Sequence, residues 1–198
     1  MSDTVIKYHR GMGRWQPEAQ RRLTEAALTL YLERGFEQTT VAEIARAAGL
    51  TERTFFRYFA DKREVLFSGA GDLQELMVAT VAQAPDSDAP IAVIARAIEA
   101  AGGVFQSRRE GAVLRQRVIA ANQELQEREL IKLSLLASAM AKALRARGVS
   151  EPSASLCAEA GIAVLKIAFD QWINDPTPRD LPGLMRELFE ELNVVTGE

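Results

Sequence analysis

Cysteine and histidine are almost absent from this chain of 198 residues, which has one of each. Cys157 alone excludes an internal disulfide or a cysteine cluster for metal, and His9 alone cannot assemble a zinc site or a Ser-His-Asp triad. Catalysis would need a positioned nucleophile, base or metal ion, for which the sequence offers no candidate. We therefore predict no catalytic residue, no metal ligand and no cofactor, and we expect that the protein is not an enzyme.

Long apolar runs and strand patterns are also lacking. No stretch approaches the ~18 apolar residues of a membrane span, and the polar N-terminus lacks the apolar segment of a signal peptide. We therefore expect a cytoplasmic protein without a membrane partner. Hydrophobic residues make up 47% of the chain, helix formers dominate, and the alternation typical of strands does not occur. The predicted fold class is all-α.

Two short helical patterns meet at a glycine in the N-terminal third of the chain. The first has apolar residues at i, i+3, i+4 and i+7 across 41–48, which is one face of a helix. Thr40 and Glu43 before it have the spacing of a capping box. Gly49 follows it, where a left-handed residue closes a helix at low cost. A helix, a short turn with glycine and a second helix are typical of the helix-turn-helix motif.

The second pattern starts at Thr51 and carries aromatic residues on both of its faces. Phe55 and Phe59 would point into a small core, together with Leu50. An aromatic cluster that merely filled this core would account for those positions but not for the outer face. That face is the surface with which a second helix of this motif reads the DNA major groove. It would present Glu52, Arg53, Thr54, Phe56, Arg57 and Tyr58.

The segment from about Gln20 to Leu66 resembles the DNA-binding domain of the TetR family of bacterial transcription regulators. The resemblance rests on AALTLYLERGFEQTT, VAEIARAAGL and TERTFFRYFADKREVLF, and the FFRYFADK run is its most specific part. It implies base-facing roles for Glu52, Arg53 and Phe56, of which Glu52 departs from the family pattern in charge. It implies phosphate-binding roles for Thr40, Thr54, Tyr58 and Lys62.

The residues before the first helix have two interpretations. Residues 1–16 are polar and include Lys7, Arg10 and Arg14. They would form either a disordered tail or an arm that lays arginines in the minor groove. The first helix is predicted to start near Pro17, a residue suited to a first turn, and to end at Gly35.

The remaining pattern predicts about nine helices in two domains, a three-helix DNA-binding domain at 17–67 and a larger helical domain at 68–198. Asp61 is expected to start the fourth helix, in which Gly69 and Gly71 should cause a bend. This helix is interpreted as the only rigid connection between the domains. The other predicted helices cover 91–105, 108–121, 123–147, 153–174 and a segment from 181 onwards.

Helices five to seven mix small residues with a few polar groups, as expected of a mostly apolar ligand pocket. The ligand would be a small apolar or amphipathic molecule of unknown identity. An alternative is that these polar residues are helix caps and surface pairs, and Asn122 has the position of a cap for helix seven. Residues 122–131, NQELQERELI, also resemble the C-terminal domain of mycofactocin-system TetR regulators. The candidate pocket residues are Gln106, Arg117, Asn122 and Trp172.

The last two helices predict a homodimer. The helix at 153–174 is apolar almost all round, so it must be buried on several sides. The final helix has one sharp apolar stripe, and the chain has limited apolar surface left to cover both. A partner chain would complete the burial, as the last two helices do in the TetR family. The candidate interface residues are Gly161, Leu165, Ala168, Leu184, Met185 and Leu188.

The resemblance and these patterns together predict a repressor that binds a palindromic, double-stranded operator as a dimer and is released by a ligand. A transcriptional activator of the same fold is the alternative. A small-molecule carrier or enzyme that uses the C-terminal cavity would need a titratable cluster there, and the cations in that region are scattered. An architectural DNA binder without a ligand would not need so large a second domain.

Overall fold

The computed structural model describes residues 9–177 and 179–197. Within these ranges the chain forms nine α-helices and one 3-10 helix, Glu64–Phe67, without a β-strand, which confirms the all-α prediction. The α-helices are α1 (His9–Arg34), α2 (Val41–Ala47), α3 (Glu52–Tyr58), α4 (Ala70–Gln83), α5 (Pro90–Gln106), α6 (Arg109–Ala120), α7 (Gln123–Ala146), α8 (Ser153–Asn174) and α9 (Leu181–Thr196).

The helices form two compact units. The head unit contains the chain up to Ser68 together with Leu114–Leu125, and the body unit contains Gly69–Val113 and the chain from Gln126 onwards. As a division into functional domains, 17–67 and 68–198 stays a prediction. The compact units differ from it because the end of α6 and the first turn of α7 belong to the head unit.

Residues 114–125 join the head unit through apolar side chains. Val118, Ile119 and Leu125 are buried in one cluster with the core residues of α1, α2 and α3. The Asn122 side chain accepts a hydrogen bond from the backbone N–H of Leu125 at 3.2 Å, which confirms Asn122 as the N-cap of α7. The Arg115 guanidinium donates to the Leu66 carbonyl at 2.7 Å.

Two predicted helix starts differ from the structure. The helix α1 begins at His9 rather than near Pro17, because proline removes one backbone donor without always ending a helix. Residues 1–16 are interpreted from the sequence as a tail or as an arm. Residues 1–8 of this segment lie outside the described residues. Asp61 accepts hydrogen bonds from the N–H groups of Arg63 and Glu64 at 2.8 and 3.2 Å, but it caps the 3-10 helix, and α4 starts after Gly69.

The body unit has its own core, built mainly where α5 packs against α4, α8 and α9. Small residues allow these helices to approach closely. A Cβ atom added to Gly161 of α8 would lie 2.3 Å from Cγ2 of Ile94 in α5, and one added to Gly102 of α5 would lie 2.7 Å from Sδ of Met185 in α9. The helix α5 is therefore the central helix of the body unit.

The residues predicted for the dimer interface lie in this core. All but Leu188 are buried within the chain, and Leu188 is half-buried. The apolar pattern of α8 showed that the helix must be covered on several sides, but α5 and α9 of the same chain provide much of that cover. The interface stays a prediction, and of its six residues Leu188 is the one that the chain's own packing leaves partly accessible. The predicted interface residues that are buried in the chain's own core are Gly161, Leu165, Ala168, Leu184 and Met185.

Among the helices that the structure describes, none has the length and hydropathy of a membrane span.

Candidate nucleic-acid interface

The turn between α2 and α3 is held by local hydrogen bonds at each helix end. The Thr40 N–H donates to Glu43 Oε2 at 2.9 Å, and the Glu43 N–H donates to Thr40 Oγ1 at 3.3 Å, which confirms the capping box. The Thr40 N–H and hydroxyl hold the pKa of the Glu43 carboxyl below its usual range. Gly49 has φ 65°, the left-handed conformation expected at the end of α2. The Arg22 guanidinium of α1 donates to the Ala48 carbonyl and fixes that end further.

The orientation of α3 is set by one buried aromatic residue. Phe55 is fully buried and contacts the rings of Phe56 and Phe59, with centroids 5.5 and 5.4 Å away. Thr51 caps the helix by accepting from the Thr54 N–H at 3.2 Å. With Phe55 and Phe59 inward, the opposite face is presented to solvent. Glu52, Arg53, Phe56 and Arg57 are exposed, and Thr54 and Tyr58 are half-buried.

Arg57 and Tyr58 form a pair whose joint role the sequence did not indicate. The Arg57 guanidinium donates to the Tyr58 hydroxyl at 3.0 Å and lies 4.9 Å from the ring centroid. The hydroxyl oxygen is then an acceptor toward Arg57, so its own proton is available for a phosphate oxygen. Arg57 adds a positive charge at the same place. Sequence reasoning placed Arg57 on the outer face but assigned it no function.

Lys62 has a structural role in addition to the phosphate contact predicted for it. Its ammonium group donates to the carbonyls of Phe36, Glu37 and Thr39 at 2.8, 3.2 and 3.1 Å. It also lies 4.3 Å from the centroid of the Phe36 ring. An ammonium has three donors, so these carbonyls can occupy all of them. The phosphate contact stays a prediction, and Lys62 also closes the loop that follows α1.

Tyr31 ties α1 to the segment after α3. Its hydroxyl donates to the Lys62 carbonyl at 2.6 Å, and its ring packs edge-on against Phe36 with centroids 5.2 Å apart. Burial raises the pKa of the Tyr31 phenol, with a smaller contribution from the negative charge of Asp61. Tyr31 therefore stays neutral and serves as a hydrogen-bond donor that positions the end of the reading motif, which consists of α2, the turn after it and α3.

Arg63 connects this segment to the start of α7. Its guanidinium donates to Asp61 Oδ2 at 2.6 Å and also pairs with the Glu124 carboxylate. The Arg63 hydrogen bond, together with the N–H groups of Glu64 and Arg63, holds the pKa of the Asp61 carboxyl below its usual range despite its partial burial. The ionised form of Asp61 is thus favoured by folding.

This ion pair predicts a pH dependence that Asp61→Asn should remove. Because the folded-state pKa of Asp61 is lowered, its contribution to stability is present above the unfolded pKa near 3.8 and is lost as the pH falls through the folded pKa. We expect Asp61→Asn to lower the melting temperature between pH 5 and 7, and we expect its difference from wild type to shrink as the pH falls below 3.8.

The test is a set of thermal melts of wild type, Asp61→Asn, Arg63→Gln and the double variant across this range. The two changes should be non-additive at pH 6, because each removes the same pair, and additive at the acid end. Additivity at pH 6 would show that Asp61 and Arg63 do not stabilise the segment as a pair.

The four residues predicted for a ligand pocket are divided between the two units. Arg117 and Asn122 line a surface groove of about 390 Å³ in the head unit, whose other walls are the end of α1 and the loop after it. The Asn122 amide donates to Glu37 Oε1 at 2.9 Å across this groove. In the body unit, Gln106 accepts from the Leu181 N–H at 3.0 Å and Trp172 is fully buried. Asn122 and Gln106 both serve helix ends, as the alternative interpretation expected, and the common ligand pocket stays a prediction.

Comparisons with known proteins agree with this geometry. Residues 23–68 match the family model described as bacterial regulatory proteins, tetR family. The chain is 37% identical over 82 residues to the HTH-type transcriptional regulator TcmR of Streptomyces glaucescens, which covers 41% of this chain and 36% of that protein. It is 37% identical over 54 residues, 27% of either chain, to MftR of Mycobacterium tuberculosis, which is named a mycofactocin biosynthesis transcriptional regulator. These matches span about a third of the curated relatives or less.

Solved structures show the same fold over most of the chain. FadR of Bacillus subtilis, in complex with stearoyl-CoA, has a TM-score of 0.59 and 21% identity, and the match covers 87% of this chain and 96% of that one. These relatives are transcriptional regulators and not enzymes. The helix-turn-helix of α2 and α3, its capped and outward-facing second helix, and the family match lead to one conclusion: residues 23–68 are a DNA-binding segment of the kind described as bacterial regulatory proteins, tetR family.

Proposed function

We propose that the chain is a transcriptional repressor that binds a palindromic operator as a dimer and is released from it by a small apolar or amphipathic ligand. The observation that carries the proposal is the outer face of α3. Phe56 is 55% exposed there beside Arg53, on a helix whose orientation is set by the buried Phe55. An exposed aromatic residue, beside an arginine that forms no ion pair with the described part of the chain, suits a major groove.

Each outward residue of α3 has a chemistry that a base or phosphate would complement. Arg53 can donate two hydrogen bonds to a guanine, Glu52 can accept one from a cytosine amino group, and Phe56 can pack against a thymine methyl group. Tyr58 and Thr54 carry hydroxyl donors for phosphate oxygens, and phosphate contacts fix register without reading sequence. We propose Thr40 and Lys62 as further phosphate contacts.

The dimer interface is proposed on the outer surface of α8 and α9. The core packing leaves Leu156 and Ile167 of α8 and Val194 of α9 exposed. Single exposed apolar residues are common on protein surfaces, but these three supply apolar area on the two helices that the family resemblance assigns to dimerisation. They are proposed in addition to Leu188, which is half-buried on α9.

Release by a ligand requires a physical route to the head unit. The sequence suggested that α4 is the only rigid connection. Residues 114–125 offer a second route, because α6 runs continuously from residues of the body unit into a segment whose Ile119 lies in the core of the head unit. A ligand that prefers one position of α6 would change the operator affinity by its differential affinity for the two forms. The FadR structure in complex with stearoyl-CoA supports the ligand class.

The operator contacts can be tested on a duplex selected from random sequence with the purified protein. Arg53→Ala should lose discrimination at one base pair by roughly 1–3 kcal/mol, because a bidentate base contact is removed. Tyr58→Phe removes one hydroxyl and should weaken binding to every sequence alike. Gel-shift titrations on the selected duplex and its single-base variants measure both effects.

Sedimentation of the complex should give two chains for each palindromic site. If no sequence is enriched in the selection, the proposal of a specific DNA-binding regulator is wrong. If Arg53→Ala loses affinity equally on all duplexes, the base-reading role of Arg53 is wrong. The proposal of a DNA-binding regulator would still stand.

A further inference from the structure

An aromatic cluster in the body unit is bordered by one arginine. The rings of Phe105 at the end of α5, Phe169 and Trp172 at the end of α8 form a chain of contacts, with centroids 5.2 and 5.8 Å apart. The guanidinium carbon of Arg109, in the first turn of α6, lies 5.3 Å from the centroid of the Trp172 ring. We call these four residues the Arg109–Trp172 cluster.

Two hydrogen-bond donors of this cluster are buried without a partner. Trp172 is 0% exposed, and its indole N–H has no acceptor among the described residues. The Nε–H of Arg109 is also buried and lacks one. A buried donor without a partner is costly, and native proteins rarely leave two of them on adjoining side chains. Such a pair has room for an acceptor that the described residues do not supply.

The charge of Arg109 points to the nature of that acceptor. Its Nη2 donates to the carbonyls of Trp172 and Asp175 at 3.2 and 2.9 Å. Arg109 thereby caps the C-terminal end of α8. Among the side chains that the structure describes, no carboxylate forms an ion pair with this half-buried guanidinium. A buried charge is usually matched by an opposite one. A carboxylate accepts several hydrogen bonds, donates none and carries that opposite charge.

We propose that the Arg109–Trp172 cluster binds the carboxylate of a small apolar acid. Arg109 Nε and Trp172 Nε1 donate to the acid group, and the half-buried rings of Phe105 and Phe169 pack against its hydrocarbon part. This inference rests on the proposed ligand-released repressor and names the chemical class of its ligand. It also assigns Trp172 to ligand recognition through its N–H, and not only through its ring.

The first experiment compares matched acids and alcohols on the full-length protein. Decanoate and 4-phenylbutyrate are titrated by calorimetry beside 1-decanol and 4-phenylbutanol. The two alcohols have the same hydrocarbon part as the acids but lack the negative charge of the carboxylate. We expect the affinity of each acid to be at least about tenfold higher than that of its alcohol, because a hydrogen bond to a charged group contributes a difference of this size. In a proton–nitrogen spectrum, the indole N–H signal of Trp172, identified by its loss in Trp172→Phe, should shift with the acids.

The second experiment separates the two donors from a general loss of structure. Arg109→Gln removes the charge and should weaken acid binding about tenfold or more while leaving alcohol binding unchanged. Trp172→Phe keeps an aromatic ring without the N–H and should weaken acid binding by a smaller factor. Arg108→Gln is the matched control, because Arg108 is the neighbouring, exposed arginine, and it should bind the acids like wild type. A merely structural role for Arg109 would change acid and alcohol binding together.

The outcomes separate this proposal from the proposed function. Equal affinity for acid and alcohol, no binding of either acid at 1 mM, or an equal effect of Arg108→Gln and Arg109→Gln would overturn the carboxylate site. The indole signal staying unchanged while acids bind would also overturn it, since the acids would then bind elsewhere. Operator binding in the absence of any acid is measured on the same preparations. If it is intact when the carboxylate site fails, the DNA-binding function stands and only the ligand class is wrong.

Discussion

Phe55→Ala should destabilise the head unit by about 3–5 kcal/mol, the usual cost of truncating a fully buried phenylalanine. The same change at the next residue, Phe56→Ala, should stay within about 0.5 kcal/mol of wild type, as surface substitutions usually do. The contrast arises because Phe55 is 0% exposed and Phe56 is 55% exposed, although they are neighbours in one helix. Urea denaturation followed by circular dichroism measures the difference directly.

Operator binding gives the second half of this comparison. Phe56→Ala should fold like wild type and still bind the operator more weakly, because it removes a contact surface and not a core residue. Phe55→Ala should lose binding through loss of the folded head unit. A stable Phe56→Ala protein with unchanged operator affinity would show that the exposed ring of α3 is not part of the DNA interface.

Gly161→Ala should destabilise the body unit by roughly 1–3 kcal/mol, the range for forcing an extra methyl group into a packed core. The new Cβ would lie 2.3 Å from Cγ2 of Ile94 and 3.3 Å from Cγ1 of Ile98, so α5 and α8 would have to separate or Ile94 would have to change rotamer. This cost exceeds the gain of about 0.5–1 kcal/mol that alanine brings to a helix interior over glycine.

Gly103→Ala is the matched control for this prediction. Gly103 also lies inside a helix of the body unit, but a Cβ there has nothing within 4 Å. Its replacement should therefore stabilise the protein by about 0.5–1 kcal/mol. Adding Ile94→Ala to Gly161→Ala should make the double variant less destabilised than the sum of the two single changes. Strict additivity would mean that Gly161 and Ile94 do not limit the approach of α5 and α8.

The parts of the fold that could be predicted from the sequence are those decided within a few residues. The capping box of Thr40 and Glu43, the left-handed Gly49 and the cap at Asn122 each depend on contacts three or four residues apart, so the pattern contains them. The inward and outward faces of α3 follow from the helical period in the same way.

The parts that could not be predicted depend on which helices pack against each other, and these helices lie far apart in the sequence. The apolar pattern of α8 is the same whether α5 or a second chain packs on it, and only the position of Ile94 and Ile98 against Gly161 decides between them. The carbonyls that occupy Lys62 lie more than twenty residues earlier in the chain. Arg109 and Trp172 are likewise sixty-three residues apart, and nothing local in either pattern indicates their contact.

The return of residues 114–125 to the head unit has a consequence for how the protein is made. Val118, Ile119 and Leu125 complete the hydrophobic core beneath the reading motif, so this core cannot close during synthesis until Leu125 has left the ribosome. A nascent chain that has released only the first three helices would still expose the apolar surface that these residues cover, and exposed surface of this kind favours aggregation. Grafting the reading motif onto another protein would likewise require the 114–125 segment to travel with it, although it lies far away in the gene.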